Sequence, residues 1–396
     1  MMRKTYLLVV LIFAFSMNYA SVSSEEGIIF ENGTWSEILA KAQKENKIIF
    51  LDAFAAWCGP CKWMAKNIFP NDTVAEFYNK NFVNAKIDME KGEGIELAKK
   101  YGVQAFPTFL YINGNGDLVH RTCGSTPAQE FVNNGKNALN PDKQLASLKK
   151  NYEKNSSDGN LAAAYFSVAE SGCMNIDADV SQYLKTQKES DLQNAANWSI
   201  IKKFLNNADS REFNYLLKNK KQFAKLYSKD SVDQKIVSVY ETSLRNLIRK
   251  KDDDAYARLK QQIKKSGDTN AEKVILSADM TMYQKKKDWI NYAKTADKYI
   301  TNYCMNDAMA LNSAAWTFYE NVSDRKMMQK AEKWAKKSTQ LTDQYFNNDT
   351  YAAVLYKNGK LKEAEIAAQK AIEKAKEEGA DYKETEELLK KIRPGS

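Results

Sequence analysis

At 396 residues the chain is longer than one core usually organises, and two or three domains are expected. Hydrophobic residues make up 43% and charged residues 28%, which excludes wholesale disorder, while 16 glycines and 6 prolines exclude collagen-like or linker-rich architectures and disfavour long β-sandwiches or barrels. The net charge of +9 points toward nucleic acid or an anionic surface, but 51 of the 59 basic residues are Lys, mixed with Asp and Glu along the whole chain. They read as solvated helix faces, and no nucleic-acid partner is expected.

In chain order, Arg3 and Lys4 precede an apolar run from Tyr6 to Phe15, and small and polar residues follow through Ser23. That is the layout of a secretory signal peptide, assigned to residues 1–20, and the run is too short to span a bilayer. A soluble, exported protein, periplasmic or secreted, is expected. In such a compartment thiols can pair and stay paired. No second apolar run of membrane length occurs.

Residues 24–140 read as mixed α/β. Ile48–Leu51, Phe82–Ile87 and Thr108–Ile112 are buried-strand runs. Asn113-Gly114-Asn115-Gly116-Asp117 is a hairpin turn, after which Leu118–Thr122 returns as the partner strand. Helices are expected at Trp35–Glu45, Cys58–Asn67, Val74–Asn79, Ile95–Tyr101 and Pro127–Leu139. The boundary falls near Asn140-Pro141-Asp142, where Pro blocks helix continuation.

Beyond that boundary the apolar pattern is helical almost throughout, and 45 basic residues face 36 acidic ones. Trp289, Tyr292 and Ala296 share their spacing with Met328, Ala331 and Ala335, and with Leu361, Ala364 and Ala368. Small residues recurring where two helices touch resemble tetratricopeptide repeats. We therefore assign 141–269 to a helical domain and 270–392 to repeat-like helical hairpins, an irregular bundle being the alternative.

The chemistry sits in Trp57-Cys58-Gly59-Pro60-Cys61. Two cysteines three apart on a helix N-terminus can close a disulfide with little backbone motion. At that terminus unpaired N–H groups and the helix dipole favour a thiolate at Cys58. Cys61, one turn in and expected to be the more buried, suits the resolving role. Gly59 is expected to permit close approach, and Pro60 fits the first turn. The same spacing serves half a zinc site, but no second Cys-x-x-Cys exists and His120 is the only histidine. No metal is expected, and no cofactor beyond a redox-active disulfide.

The segment Leu51-Asp52-Ala53-Phe54-Ala55-Ala56-Trp57-Cys58-Gly59-Pro60-Cys61-Lys62 resembles the active-site strand, turn and helix of the thioredoxin family. The resemblance spans residues 27–140 and implies a thioredoxin fold there, which the helical pattern beyond residue 141 extends with an all-α domain. It implies that Asp52 relays a proton to or from Cys61. From the residues alone, an Asp in an apolar strand beside a thiol should have a raised pKa, unless it is a strand-end Asp facing solvent. Phe106-Pro107-Thr108 resembles the family's cis-proline segment. Trp57, Gly59, Pro60, Phe106 and Gly124 then belong to the substrate-binding surface, with the backbone of Phe106 pairing with an extended client chain. Trp35–Asp88 is also similar to a thioredoxin-like subgroup of secreted proteins and disulfide-reducing membrane systems. One departure stands out: Asn84 occupies the place where thioredoxin has a buried Lys, and Lys86 has the strand parity to substitute.

Three other cysteines remain open. Cys123 is either a buried small residue or a neighbour of the site, and Cys173 and Cys304 are candidates to bridge. The leading expectation is an exported protein thiol–disulfide oxidoreductase. Its partners would be disulfide-containing protein clients and a membrane electron donor, with a further protein partner on the helical half. By analogy with reducing thioredoxins its potential should lie nearer roughly −270 mV than roughly −120 mV. The alternatives are a client-binding helical scaffold or chaperone, and a disulfide oxidant or isomerase.

Overall fold

The computed structural model describes residues 27–393; the signal peptide expected at 1–20 lies outside them. Contacts divide the chain into two units at Ile200. The first unit contains, in order, α1 (Trp35–Glu45), β1 (Ile48–Phe54), α2 (Gly59–Asn67), α3 (Asp72–Asn81), β2 (Phe82–Asp88), α4 (Gly94–Tyr101), β3 (Thr108–Ile112), β4 (Leu118–Cys123) and α5 (Ala128–Leu139). It continues with α6 (Leu145–Lys154), α7 (Gly159–Ser171) and α8 (Asp177–Thr186).

The four strands form one sheet in the order β2-β1-β3-β4, with β1 and β2 parallel and the other pairs antiparallel. Side chains alternate between its faces. Ile49, Leu51, Ala53, Leu110 and Ile112 pack with Trp35, Ile38 and Ala42 of α1 and Leu97 and Tyr101 of α4. Phe50, Phe109 and Tyr111 pack on the other face with Met64 of α2, Val74 and Tyr78 of α3 and Phe131 of α5. The aromatic layer is tied by polar ends as well, since the Tyr78 hydroxyl donates to the Phe131 carbonyl at 2.8 Å.

Local chemistry sets the boundaries. Thr34 caps α1 with a capping box completed by Glu37. Asn71 caps α3, its side chain accepting from Val74 N–H. At the β3–β4 turn the Asn113 side chain accepts from Asn115 and Asp117 N–H at 3.0 and 2.9 Å, and Gly116 takes φ 83°, which glycine adopts without strain. β1 runs three residues further than its apolar run, because Asp52 lies within the strand rather than ending it.

The outer strand β4 is covered by α6 and α7, which removes an exposed sheet edge. His120 on β4 is buried, and burial lowers its pKa to about 4, leaving the ring neutral. Its Nδ1 accepts from Leu145 N–H at the start of α6, at 3.2 Å. The residues after Pro141 therefore begin by packing on the sheet.

The second unit is helical, and its described residues include no strand. Asp252, Asp288, Asp307 and Asp324 each cap a helix N-terminus with the carboxylate. Lys251 and Lys287 precede two of these caps in the left-handed conformation, at φ 60° and 55°. The two Lys-Asp pairs thus make the same two-residue helix-to-helix turn. Helices pair with their sequence neighbours: Ala271–Lys286 with Trp289–Tyr299, Ala308–Asn321 with Arg325–Leu341, and Tyr345–Lys357 with Leu361–Glu378. In the recurring triplets Tyr292, Ala296, Ala331, Ala335, Ala364 and Ala368 are buried. The first position varies: Met328 is buried, Trp289 is partly buried and Leu361 is 46% exposed. The second and third positions are the ones held buried in all three copies.

Candidate active site

β1 delivers the chain to the site and α2 leads it away. Cys58 is the N-cap of α2 with extended backbone, and its Sγ accepts from Cys61 N–H at 3.1 Å. The sulfur therefore sits where the helix offers unpaired donors and the positive end of its dipole, conditions that stabilise a thiolate. Pro60, second in the helix, needs no intrahelical donor there. Cys58 and Cys61 are disulfide-bonded, with Cα atoms 5.3 Å apart.

One expectation is corrected here. Cys61 is not the more buried of the pair, since Cys58 is 2% and Cys61 4% exposed. The helix-capping position, and not burial, distinguishes the two sulfurs. A Cβ at Gly59 would meet nothing of this chain within 4 Å, so its face is open. Gly124 has a backbone reason to be glycine: its φ is 85°.

Asp52 lies between Phe50 and Phe54 on the sheet face that carries α2. Phe50 packs in the cluster containing Met64, and Phe54 packs against Cys58 and Cys61. Its carboxyl is 1% exposed, and Oδ1 has no hydrogen-bond partner among the described residues. Burial pushes its pKa up to about 7, and the nearby Lys86 only partly offsets that. Lys86 faces Asp52 across the β1–β2 pairing, with Nζ 3.6 Å from Oδ2. The ammonium is ringed by Phe54, Phe69 and Phe30 at 5.0, 5.5 and 5.8 Å from their centroids.

Asn84 has other work. Its Nδ2 donates to the Ile29 carbonyl and to Asn79 Oδ1 at 3.2 and 3.1 Å, and its own carbonyl accepts from Glu31 N–H at 2.8 Å. It pins residues 29–31 along the free edge of β2, and the cation is found two residues on. Lys86→Met should move the Asp52 pKa further above 7, because it removes the one charge that favours the carboxylate. Carbon-detected NMR titration of the Asp52 carboxyl reads this directly; an unchanged or lower midpoint would sink the assignment.

Phe106-Pro107 is a cis peptide bond, and Pro107 is buried. Its carbonyl accepts from Gly124 N–H at 2.9 Å, and the Thr108 hydroxyl donates to the Ala105 carbonyl at 2.7 Å. Phe106 packs on Ala55, Cys58 and Cys61. Trp57 is 67% exposed, its ring edge-to-face with Phe106 at 6.1 Å. Cys58, Cys61, Asp52, Trp57, Phe106, Pro107 and Gly124 are thus gathered at one end of the sheet.

One participant was not foreseen. Glu90 accepts from the Trp57 indole N–H at 2.8 Å and fixes that exposed ring. No local pattern marks it, only its place just past the end of β2. Cys173 bonds with Cys123, and Cys304 is a free, buried thiol, so the Cys173–Cys304 bridge weighed from sequence does not form. Cys123 and Cys173 meet because the end of α7 packs against β4. Among the described residues no cluster of three or more His, Cys, Asp or Glu is arranged to hold a metal ion.

The profile of the thioredoxin-like domain matches residues 35–138. Thioredoxin H4 of Arabidopsis thaliana is 35% identical over 107 residues, covering 26% of this chain and 85% of that protein. Thioredoxin H-type of Oryza sativa subsp. indica is 32% identical over 102 residues, covering 24% and 76%. Among solved structures, a Bacteroides thetaiotaomicron protein described as a candidate disulphide-isomerase is 46% identical over 29% of this chain and 94% of its own, with a TM-score of 0.27.

Proposed function

The chain belongs to the thioredoxin family, and from that premise we propose that it is an exported thiol–disulfide oxidoreductase that reduces or exchanges disulfides in client proteins. One observation carries the reading: a Cys58–Cys61 disulfide capping α2, on the sheet face that buries Asp52.

In the reduced protein the Cys58 thiolate attacks a client disulfide, and a mixed disulfide forms as the first client sulfur leaves. Asp52, with a pKa near neutrality, takes the proton from the Cys61 thiol. The Cys61 thiolate attacks Cys58 Sγ, the Cys58–Cys61 bond forms, and the second client sulfur leaves. Two electrons pass to the client. The backbone of Phe106, beside the buried cis-proline, offers edge pairing to an extended client segment, and Trp57 and Gly124 flank it.

Export is supported by the apolar run Tyr6–Phe15 behind Arg3 and Lys4, and by the Cys123–Cys173 bridge, which suits an oxidising compartment. There the dithiol needs recharging by a donor of electrons, in our reading a membrane carrier. The paired helices of 270–392 are read as repeat-like hairpins that hold a client or partner chain.

The test is the reduction potential of Cys58/Cys61 in the full chain, equilibrated against glutathione and thioredoxin standards. A value near roughly −270 mV is expected of a reductant. A value of roughly −120 to −180 mV would reverse the direction to an oxidant or isomerase.

A further inference from the structure

The second bridge joins Cys123, the last residue of β4, to Cys173, just past the Gly172 that caps α7. The chemistry proposed for Cys58 makes no use of it. Its exposure is opposite to that of the first bridge: Cys173 is exposed and Cys123 half-buried, whereas Cys58 and Cys61 are both buried. Cys173 has φ 53° as the left-handed residue that ends α7, its N–H donating to the Glu170 carbonyl at 2.8 Å.

One end of this bridge adjoins the client-binding segment. Cys123 pairs with Thr108 across β3–β4, and Thr108 follows Pro107. The next residue, Gly124, donates the 2.9 Å bond to the Pro107 carbonyl. The other end is on the α6–α7 hairpin. That hairpin has ties of its own, so opening the bridge would not release it. His120 binds the start of α6. Buried Arg121 donates to the Tyr101 carbonyl at 2.9 Å and lies so close under Gly172 that a Cβ there would stand 2.6 Å from its Cγ. The bridge is therefore an exposed tie added to an already seated hairpin, beside the backbone that holds the cis-proline.

We propose that Cys123–Cys173 is a second thiol–disulfide exchange site, opened by dithiol reductants, whose state sets how firmly the Phe106-Pro107 segment is held for clients. A thiolate of the dithiol attacks the Sγ of exposed Cys173. The Cys123–Cys173 bond breaks, and Cys123 leaves as a thiolate that takes up a proton. The second thiol of the reductant then attacks the mixed disulfide, releasing Cys173 as a thiol and closing the reductant's own disulfide. Two electrons and two protons pass from the dithiol to the bridge. The Cys58/Cys61 dithiol of a second copy is a reductant of this class, a point that rests on the function proposed above. The opening itself does not.

The test has two arms. The full chain is equilibrated in graded dithiothreitol and glutathione buffers, quenched by alkylation, and each cysteine read by peptide mass. Cys123 and Cys173 should open together as their own two-electron transition while the circular dichroism of the fold is unchanged. Opening only when the protein unfolds would make the bridge a permanent staple and overturn the proposal, whether or not Cys58/Cys61 turns over any client. In the second arm Cys123→Ser/Cys173→Ser is compared with wild type. Its kcat/KM for a protein disulfide should fall about three- to tenfold, from loss of positioning at the cis-proline. Reduction of a small aromatic disulfide, which needs no strand pairing, should be unchanged. Equal kcat/KM for the protein substrate would overturn the coupling. Should the double variant fold poorly, Cys173→Ala alone supplies the open state.

Discussion

Asp52→Asn is expected to make the sheet more stable and the redox cycle slower, both by large factors. The carboxyl is buried, and its pKa is raised from 3.8 to about 7. A carboxyl raised in the folded state lets that state keep a proton that the unfolded chain gives up. Below about pH 4 both states are protonated, and Asp52 costs nothing. Stability then falls as pH rises toward 7, and above 7 the full cost is present. At 1.36 kcal/mol per pH unit, the interval amounts to about 4 kcal/mol. Asn carries no such charge, so the variant should gain about 2–4 kcal/mol at pH 8 and almost nothing at pH 4. Hydrogen exchange of the β1 and β3 amides in urea at the two pH values checks this. A gain equal at both would mean that the ionised carboxylate is not the source.

In the proposed mechanism the same substitution removes the proton acceptor for Cys61. General acid–base groups contribute typically 10²–10⁴ in rate, so closure of Cys61 onto the mixed disulfide should slow by about 10². Single-turnover reduction of a protein disulfide across pH 5–9 separates this from a structural effect. Wild type should show an inflection near pH 7 that the variant lacks. An inflection that survives in Asp52→Asn would assign it to another group. The opposite signs of the two effects matter: a residue that destabilises its own fold at neutral pH is retained for something other than the fold.

Much of the first unit was legible because its signals are local. The periodic patterns mark α1 and α3 within a residue or two, the Asn113–Asp117 run marks the β3–β4 turn, and the Cys58/Cys61 spacing marks a helix start. The polar Asp52 hid the last three residues of β1, because a charged side chain inside a strand contradicts the pattern that identifies strands. What pattern did not reveal depends on packing between distant segments. Cys123 and Cys173 are 50 residues apart, and nothing in either neighbourhood names the other. His120 and Arg121 look like ordinary strand residues until α6 and α7 are seen against β4. Glu90 gains its place beside Trp57 only once β2 is paired with β1. Lys86 shows the intermediate case. Strand parity placed it on the correct face, but its cage of Phe30, Phe54 and Phe69 comes from three separate segments.

Cys58→Ser is expected to abolish protein disulfide reduction, and Cys61→Ser to leave a covalent adduct with clients. The two cysteines are equally hidden in the disulfide, so burial does not predict which sulfur attacks. The helix cap does. Cys58 Sγ already receives the Cys61 N–H, and on reduction that bond and the dipole of α2 would stabilise negative charge at Cys58. Serine at 58 has no thiolate to offer, and turnover should fall to background. Serine at 61 leaves the attack intact and removes the only thiol that closes onto Cys58, so the first mixed disulfide persists. Non-reducing electrophoresis of the Cys61→Ser chain, mixed with an oxidised protein substrate, should show a higher-mass band that dithiothreitol dissolves. Peptide mapping should place the bond at Cys58. An adduct at Cys173 instead would make the second bridge the point of entry. Trapping by Cys58→Ser but not by Cys61→Ser would reverse the roles and discard the helix-cap argument.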